Sequence, residues 1–155
     1  MFKSVLVVCI GNVCRSPVGE ALFKKYSEQY QLDLKVASAG VHALVGENPQ
    51  PYSQEVASEH GLNVSSYFAE QITHEMVCEY ELILVLDSVV RGIFLQKYPF
   101  AVGKVSKFGR FENDRDIVDP YRKPKEAFSR MYDDIEQCTK SWLKAVWSKS
   151  VNDSD

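Results

Sequence analysis

The sequence has no basic surplus, no long hydrophobic run and few cysteines, and each shortage removes a class of protein. Lysine and arginine number 18 against 21 aspartates and glutamates, a formal net charge of −3. Binders of nucleic acid or of membrane surfaces ordinarily carry a cationic excess, so neither partner is expected beyond a local basic spot. No stretch reaches the roughly 18 apolar residues of a membrane span. The apolar N-terminal run, Met1 to Val8, is too short for a secretion-signal core and lacks a small-residue cleavage site. The expected location is therefore the cytoplasm, a reducing compartment. There Cys9, Cys14, Cys78 and Cys138 read as reactive or packed thiols rather than a disulfide framework. His42, His60 and His74 are scattered without metal-ligand spacing and read as surface residues.

With 155 residues, 45% of them hydrophobic, the chain suits one compact domain with a real core. Residues 1–147 form that domain, and the small polar tail 148–155 reads as disordered. Val5 to Val8 is an aliphatic run of the kind found in a strand buried on both faces. Ser16-Pro17 reads as a helix start, Ser as N-cap and Pro at the first helical position. Asp33 to Ser38, Glu81 to Leu86 and Lys104 to Phe108 are further strand candidates, and Asp87-Ser88 suits the cap of a helix. A helix ends near His60-Gly61. The last long element, about Lys125 to Trp147, spaces Phe128, Met131, Ile135, Trp142, Leu143 and Val146 as a core-facing helical stripe. Strands alternating with helices predict an α/β fold, a parallel sheet with helices on both faces. Ligands of such sheets sit at the carboxyl ends of the strands, where Cys9 follows the first strand.

The chemistry concentrates in Cys9-Ile10-Gly11-Asn12-Val13-Cys14-Arg15-Ser16-Pro17. A cysteine and an arginine six positions on is weak alone, but here the pair lies between a strand and a helix. Gly11 and Asn12 tolerate left-handed backbone angles, so the loop is expected to turn its N–H groups inward as an anion nest. The helix start adds its positive dipole end, and Arg15 supplies a planar, bidentate grip on phosphate oxygens. That surrounding favours a thiolate at Cys9. The Ser16 hydroxyl, one turn away, is placed to hydrogen-bond the sulfur when it leaves. An alkoxide or phenolate leaving group needs a proton. Asp119 is the best donor, because Pro120 holds it in extended backbone on a stiff loop. Asp114 and Asp116 read as solvated loop charges. Cys14 is either a packed thiol or a redox partner of Cys9, Tyr121 a core ring or a slot wall, and Cys78 and Cys138 read as core.

This loop, with Ser38-Ala39-Gly40 and Asp119-Pro120-Tyr121, resembles the low-molecular-weight protein tyrosine phosphatases over essentially the whole chain. Asp119-Pro120-Tyr121-Arg122-Lys123 and Leu44-Val45-Gly46 look closest to bacterial members paired with a tyrosine autokinase in capsule or exopolysaccharide production. The resemblance implies a four-stranded parallel sheet, no metal or other cofactor, and hydrolysis of phosphotyrosine. By position it makes Cys9 the nucleophile, Arg15 the phosphate ligand and Asp119 the acid. Ile10, Gly11, Asn12, Val13, Cys14, Ser16, Leu44 and Tyr121 fall at the substrate site, with Asn12 and Ser16 joined by Ser38 in the network that holds the loop. Where the family often has His-x-Ala-Arg-Gln, this chain has Tyr67-Phe68-Ala69-Glu70-Gln71, so a supporting histidine is missing.

Three other readings share these residues. Arsenate reduction needs a relay of further cysteines, and Cys78 has no partner within a short segment. Family members acting on phosphoarginine typically carry threonine at the position of Val13, whose aliphatic side chain suits an aromatic ring. A phosphate-binding adaptor would have lost the nucleophile or the acid, and this chain has both.

Overall fold

In a computed structural model, residues 1–147 are described, and the expected tail at 148–155 lies outside them. Four parallel strands form one sheet: β1 (Ser4–Cys9), β2 (Lys35–Gly40), β3 (Leu82–Val85) and β4 (Val105–Lys107), in the order β2-β1-β3-β4. Register sets Cys9 against Gly40, Val5 against Leu82 and Ile83 against Val105. The helices are α1 (Arg15–Gln29), α2 (Pro51–Glu59), α3 (His74–Glu79), α4 (Ser88–Lys97) and α5 (Lys125–Val146), with a 3₁₀ turn at Pro99–Lys104.

Strand alternation divides the core in two. Val5, Val7, Leu82 and Leu84 face one way, into a cluster with Leu22 and Phe23 of α1 and with Met131, Ile135 and Trp142 of α5. Leu6, Val8, Ile83 and Val85 face the other way, onto Val77 of α3 and Val90 and Phe94 of α4. Both faces of the sheet are therefore covered, as the aliphatic runs required. The α5 stripe is buried as expected, with Val146 only partly so, and the Trp142 indole N–H donates to the Phe108 carbonyl (2.8 Å).

Three local readings need correction. Helix α1 begins at Arg15 with Cys14 in the cap position and no side-chain cap, so Ser16 is already inside the helix. Cys78 is exposed on the short α3 rather than packed in the core, because Val77 takes the inward position there. The strand bounds also move: β2 starts at Lys35 and runs on to Gly40 instead of spanning Asp33 to Ser38, Glu81 and Leu86 fall outside β3, and Lys104 and Phe108 fall outside β4. Asp87 does cap α4, its Oδ1 accepting from the Val90 N–H at 2.7 Å.

What this architecture does for function is place β1 centrally. The strand order changes direction between β1 and β3, and the segments that follow β1, β2 and β4 line a crevice at this carboxyl edge.

Candidate active site

Cys9 ends β1 and is 3% exposed, its sulfur at the floor of the crevice. The Asn12 N–H points at that sulfur (3.3 Å), and the Ser16 hydroxyl lies 2.9 Å from it. Moving the start of α1 back to Arg15 gives Ser16 this position: a residue in the first turn directs its side chain back toward the loop.

The loop is held open by Asn12. Its φ is +59°, a left-handed value that asparagine tolerates better than most residues. Gly11 does not share that geometry; a Cβ there would meet Val13 and Leu44 only at ordinary contact distance. The Asn12 amide nitrogen donates to Ser16 Oγ (2.6 Å) and Ser38 Oγ (3.0 Å), and its oxygen accepts from the Glu70 N–H (2.9 Å). Since Glu70 serves through its backbone, the side chain at that position is free to vary. The network continues past Ser38, which donates to Glu20 Oε1 (2.7 Å), while Glu20 Oε2 pairs with Lys24 (2.5 Å). The Lys24 ammonium sits 5.2 Å from the centre of the Tyr67 ring. Tyr67, which stands where the family often has a histidine, is thus joined to the loop through Glu20 and Lys24, two residues that the sequence reading did not single out.

Arg15 is 1% exposed and its guanidinium is gripped from behind. Nη1 donates to Asp87 Oδ2 (2.6 Å) and to the Ile117 carbonyl (2.7 Å), while Nη2 lies 3.7 Å from Asp119 Oδ2. Burial opposes the guanidinium charge, but Cys9, Asp87 and Asp119 outweigh it and hold its pKa above the ordinary value. Cys14 feels the opposite balance. Burial, then the nearby Asp119 and Cys9, push its thiol up to about 12.

Asp119 lies across the crevice, partly exposed, and its Oδ1 accepts from the Tyr121 N–H (3.1 Å). The loop before it is tied down twice. The Ile117 N–H bonds the Leu86 carbonyl (2.9 Å), and Asp116 takes hydrogen bonds from Lys107 (2.7 Å) and from the Ser88 N–H and hydroxyl. Asp116 is exposed, as a loop charge should be, and also anchors the loop; Lys107 and Ser88 hold its carboxyl below the usual range.

These groups open into a cavity of about 140 Å³ lined by Cys9, Ile10, Gly11, Val13, Cys14, Arg15, His42, Leu44, Asp119 and Tyr121. Of the residues expected to bind substrate, Ile10, Gly11, Val13, Cys14, Leu44 and Tyr121 line this cavity, Tyr121 as a wall rather than a core ring, whereas Asn12 and Ser16 are buried behind it in the loop's hydrogen-bond network. His42 is an addition that its scattered placement in sequence concealed. The 41–44 segment is clipped to the nucleophile loop by three backbone bonds: Val41 N–H to Cys9, His42 N–H to Ile10 and Leu44 N–H to Gly11, at 2.9–3.0 Å. Gln71 braces it from outside, accepting from the Ala43 N–H and donating to the Val41 carbonyl, both at 2.9 Å. Gly40 permits this closeness, since a Cβ there would lie 2.4 Å from the Ile10 carbonyl oxygen. Among the described residues, no group of three or more His, Cys, Asp or Glu side chains is arranged to hold a metal ion.

Known proteins resemble this chain in sequence and in fold. The family described as low molecular weight phosphotyrosine protein phosphatase matches residues 4–152. The low molecular weight protein-tyrosine-phosphatase Wzb of Salmonella typhimurium is 40% identical over 146 residues, 94% of this chain and 95% of the relative. The solved structure of Vibrio vulnificus Wzb in complex with benzylphosphonate is 37% identical, with a TM-score of 0.89 over 94% of this chain and 100% of that one. The arginine phosphatase YwlE from Geobacillus stearothermophilus shares the fold at 26% identity, with a TM-score of 0.87 over 97% of this chain and 96% of that one.

Proposed function

Because this chain belongs to the low molecular weight phosphotyrosine protein phosphatase family and is a protein-tyrosine-phosphatase, we propose that it works through a cysteinyl-phosphate intermediate formed on Cys9. The observation that carries the reading is the convergence of Cys9 Sγ, the Arg15 guanidinium and the Asp119 carboxyl on one apolar-walled cavity.

A phosphate seated over Cys9 lies beside the Asn12 N–H, which points at the sulfur, and meets the free face of Arg15, whose opposite edge is occupied by Asp87 and Ile117. The Cys9 thiolate attacks phosphorus as the P–O bond breaks, and Asp119 gives its proton to the departing phenolate. Asp119 then takes a proton from water as that water attacks the phosphorus and the S–P bond breaks. The Ser16 hydroxyl stabilises the returning sulfur. Ile10, Val13, Leu44 and Tyr121 make walls suited to a phenyl ring. The Vibrio vulnificus relative is in complex with benzylphosphonate, an aromatic phosphonate, which supports that placement. Val13, aliphatic and 3% exposed, supports phosphotyrosine over phosphoarginine.

The physiological substrate we infer is a phosphorylated tyrosine autokinase of capsule or exopolysaccharide production, met in the cytoplasm. The support is the likeness to Wzb together with an anionic balance that suits neither nucleic acid nor membrane. Hydrolysis of p-nitrophenyl phosphate, a phosphotyrosine peptide and a phosphoarginine peptide by wild type, Cys9→Ser and Asp119→Ala tests the mechanism. Wild type should turn over the first two, Cys9→Ser should be inactive, and Asp119→Ala should lose roughly 10²- to 10⁴-fold in kcat. An active Cys9→Ser protein, or a preference for phosphoarginine, refutes the reading. Failure to dephosphorylate any purified autokinase removes only the partner.

A further inference from the structure

Beside the slot lies a second groove, lined by Gln50, Pro51, Tyr52, Arg122, Lys123 and Phe128. Two connections make it continuous with the site. Arg122 follows the slot wall Tyr121 directly, and the Gln50 N–H donates to the carbonyl of Val13, another wall, at 2.7 Å.

The groove has an apolar floor and a cationic rim. Tyr52 and Phe128 meet edge to face with centroids 5.5 Å apart, and Tyr52 is 43% exposed. Among the described residues, neither Arg122 nor Lys123 has a carboxylate partner, whereas Lys125 two positions on is engaged by both Glu55 (2.8 Å) and Glu59 (2.5 Å). Cations of one segment are thus treated differently: the one away from the mouth is neutralised and the two at the mouth are left open. Arg122 is also held at φ +63°, a left-handed value unusual for arginine. Its guanidinium lies 5.3 Å from the centre of the Tyr121 ring, and the Lys123 N–H closes the turn on the Pro120 carbonyl (2.9 Å). Backbone strain concentrated on a charged side chain at the rim of a binding slot points to a use for that charge.

We propose that this groove binds a second anionic side chain of the same substrate polypeptide, so that the enzyme favours a phosphotyrosine flanked by an acidic residue or by another phosphotyrosine. The proposal rests on the phosphotyrosine reading above. An extended chain advances roughly 3.3–3.6 Å per residue, so a neighbour one to three residues from the phosphotyrosine anchored over Cys9 is within reach of a groove that shares the slot's wall. An aromatic body on Tyr52 with its charge at Arg122 and Lys123 makes full use of both parts of the groove; a glutamate uses only the rim. Exposed ion contacts are individually weak, and two together correspond to roughly a three- to tenfold preference.

The test compares kcat/KM on phosphotyrosine peptides whose flanking residue, scanned over three positions on each side, is alanine, glutamate or the non-hydrolysable phosphonomethyl-phenylalanine. Wild type should prefer both anionic flanks through a lower KM at unchanged kcat. The preference should fade as ionic strength rises from about 0.05 M to about 1 M, where the screening length falls to roughly 3 Å. In Arg122→Glu/Lys123→Glu it should vanish or invert. Each variant is read as the ratio to its own alanine-flanked peptide, so any general effect through Tyr121 cancels. A larger gain for the phosphonate than for glutamate, reduced to the glutamate level by Tyr52→Ala, assigns the groove to a second phosphotyrosine. Equal gains insensitive to Tyr52→Ala assign it to acidic residues. No gain from either flank, or the same gain in the charge-reversed protein, overturns the proposal. A folded wild type that hydrolyses no phosphotyrosine peptide at all refutes the underlying activity instead.

Discussion

Replacing Asp87 separates two roles that one carboxylate performs. Its Oδ2 holds the Arg15 guanidinium at 2.6 Å, while Oδ1 caps α4 through the Val90 N–H at 2.7 Å. Asp87→Ser keeps a capping oxygen and removes the ion pair; Asp87→Ala removes both. Breaking a fully buried pair costs about 3–5 kcal/mol. Asp87 is 17% exposed and the Ile117 carbonyl remains on Arg15, so a loss of about 2–3 kcal/mol is expected for the serine variant. Alanine should add about 1 kcal/mol for the lost cap. Urea unfolding with a slope of about 2 kcal/mol/M would then show midpoints lower by about 1–1.5 M for serine and further for alanine. The guanidinium, freed on one side, should also grip phosphate less well. Inhibition by inorganic phosphate and kcat/KM are both expected to weaken by roughly tenfold, equally in the two variants, since the cap lies outside that interaction. If Asp87→Ser keeps stability within about 0.5 kcal/mol of wild type and phosphate inhibition unchanged, Arg15 is not positioned from behind, and the account of the site is wrong.

Gly40→Ala drives a Cβ toward the Ile10 carbonyl, a backbone atom that cannot step aside; a loss of about 2 kcal/mol in urea and more than about tenfold in kcat/KM is expected. A stable, active variant would show that the two backbones can separate without cost. Alkaline stability should fall because Cys14 and Cys138 are both raised to about 12 when folded, burial being the main cause for each. An unfolded thiol ionises at lower pH, so each contribution is complete below the unfolded value and is lost as pH climbs toward 12. For Cys14 the loss at pH 10 relative to pH 7 is about 1.4 kcal/mol, which Cys14→Ser should largely abolish in pH-dependent urea titrations. An unchanged alkaline slope in that variant would contradict the burial of the thiol.

Legibility in the sequence followed the range over which each constraint acts. The strand Val5–Val8, the loop after it and the Asp-Pro segment are local patterns that demand particular residue types at fixed spacing, so the sequence brought Cys9, Arg15 and Asp119 forward as neighbours of one crevice, where the structure places them. Asp87 was legible only as a cap, since nothing in its neighbourhood announces an arginine 72 residues earlier. Gln71 and Glu20 were missed as supports for the same reason, since their hydrogen bonds reach segments 18 to 30 positions away; the Glu20–Lys24 pair has ordinary i,i+4 helical spacing, but nothing in it announces Ser38 beside it. The six-residue α3 and the 3₁₀ turn are too short to show a periodicity, and packing against β3 and α4 decides them. Ser16 was given the wrong backbone role because Ser-Pro is a good cap signal, and the anion loop displaced it by drawing the helix start back to Arg15.

The three hydrogen bonds of the Asn12 amide join residues 4, 26 and 58 positions apart, and Arg15 is fixed by partners 72 and 102 positions away. The phosphate cradle therefore has no existence in a partly assembled chain: β2, the segment at Glu70 and the acid loop must all have docked before its N–H groups converge. Contacts of such long separation form late on the path to the native state. Recovery of helical signal should accordingly precede recovery of catalysis in refolding. Inorganic phosphate, which has nothing to bind until then, should slow unfolding and raise the melting temperature without hastening the early steps.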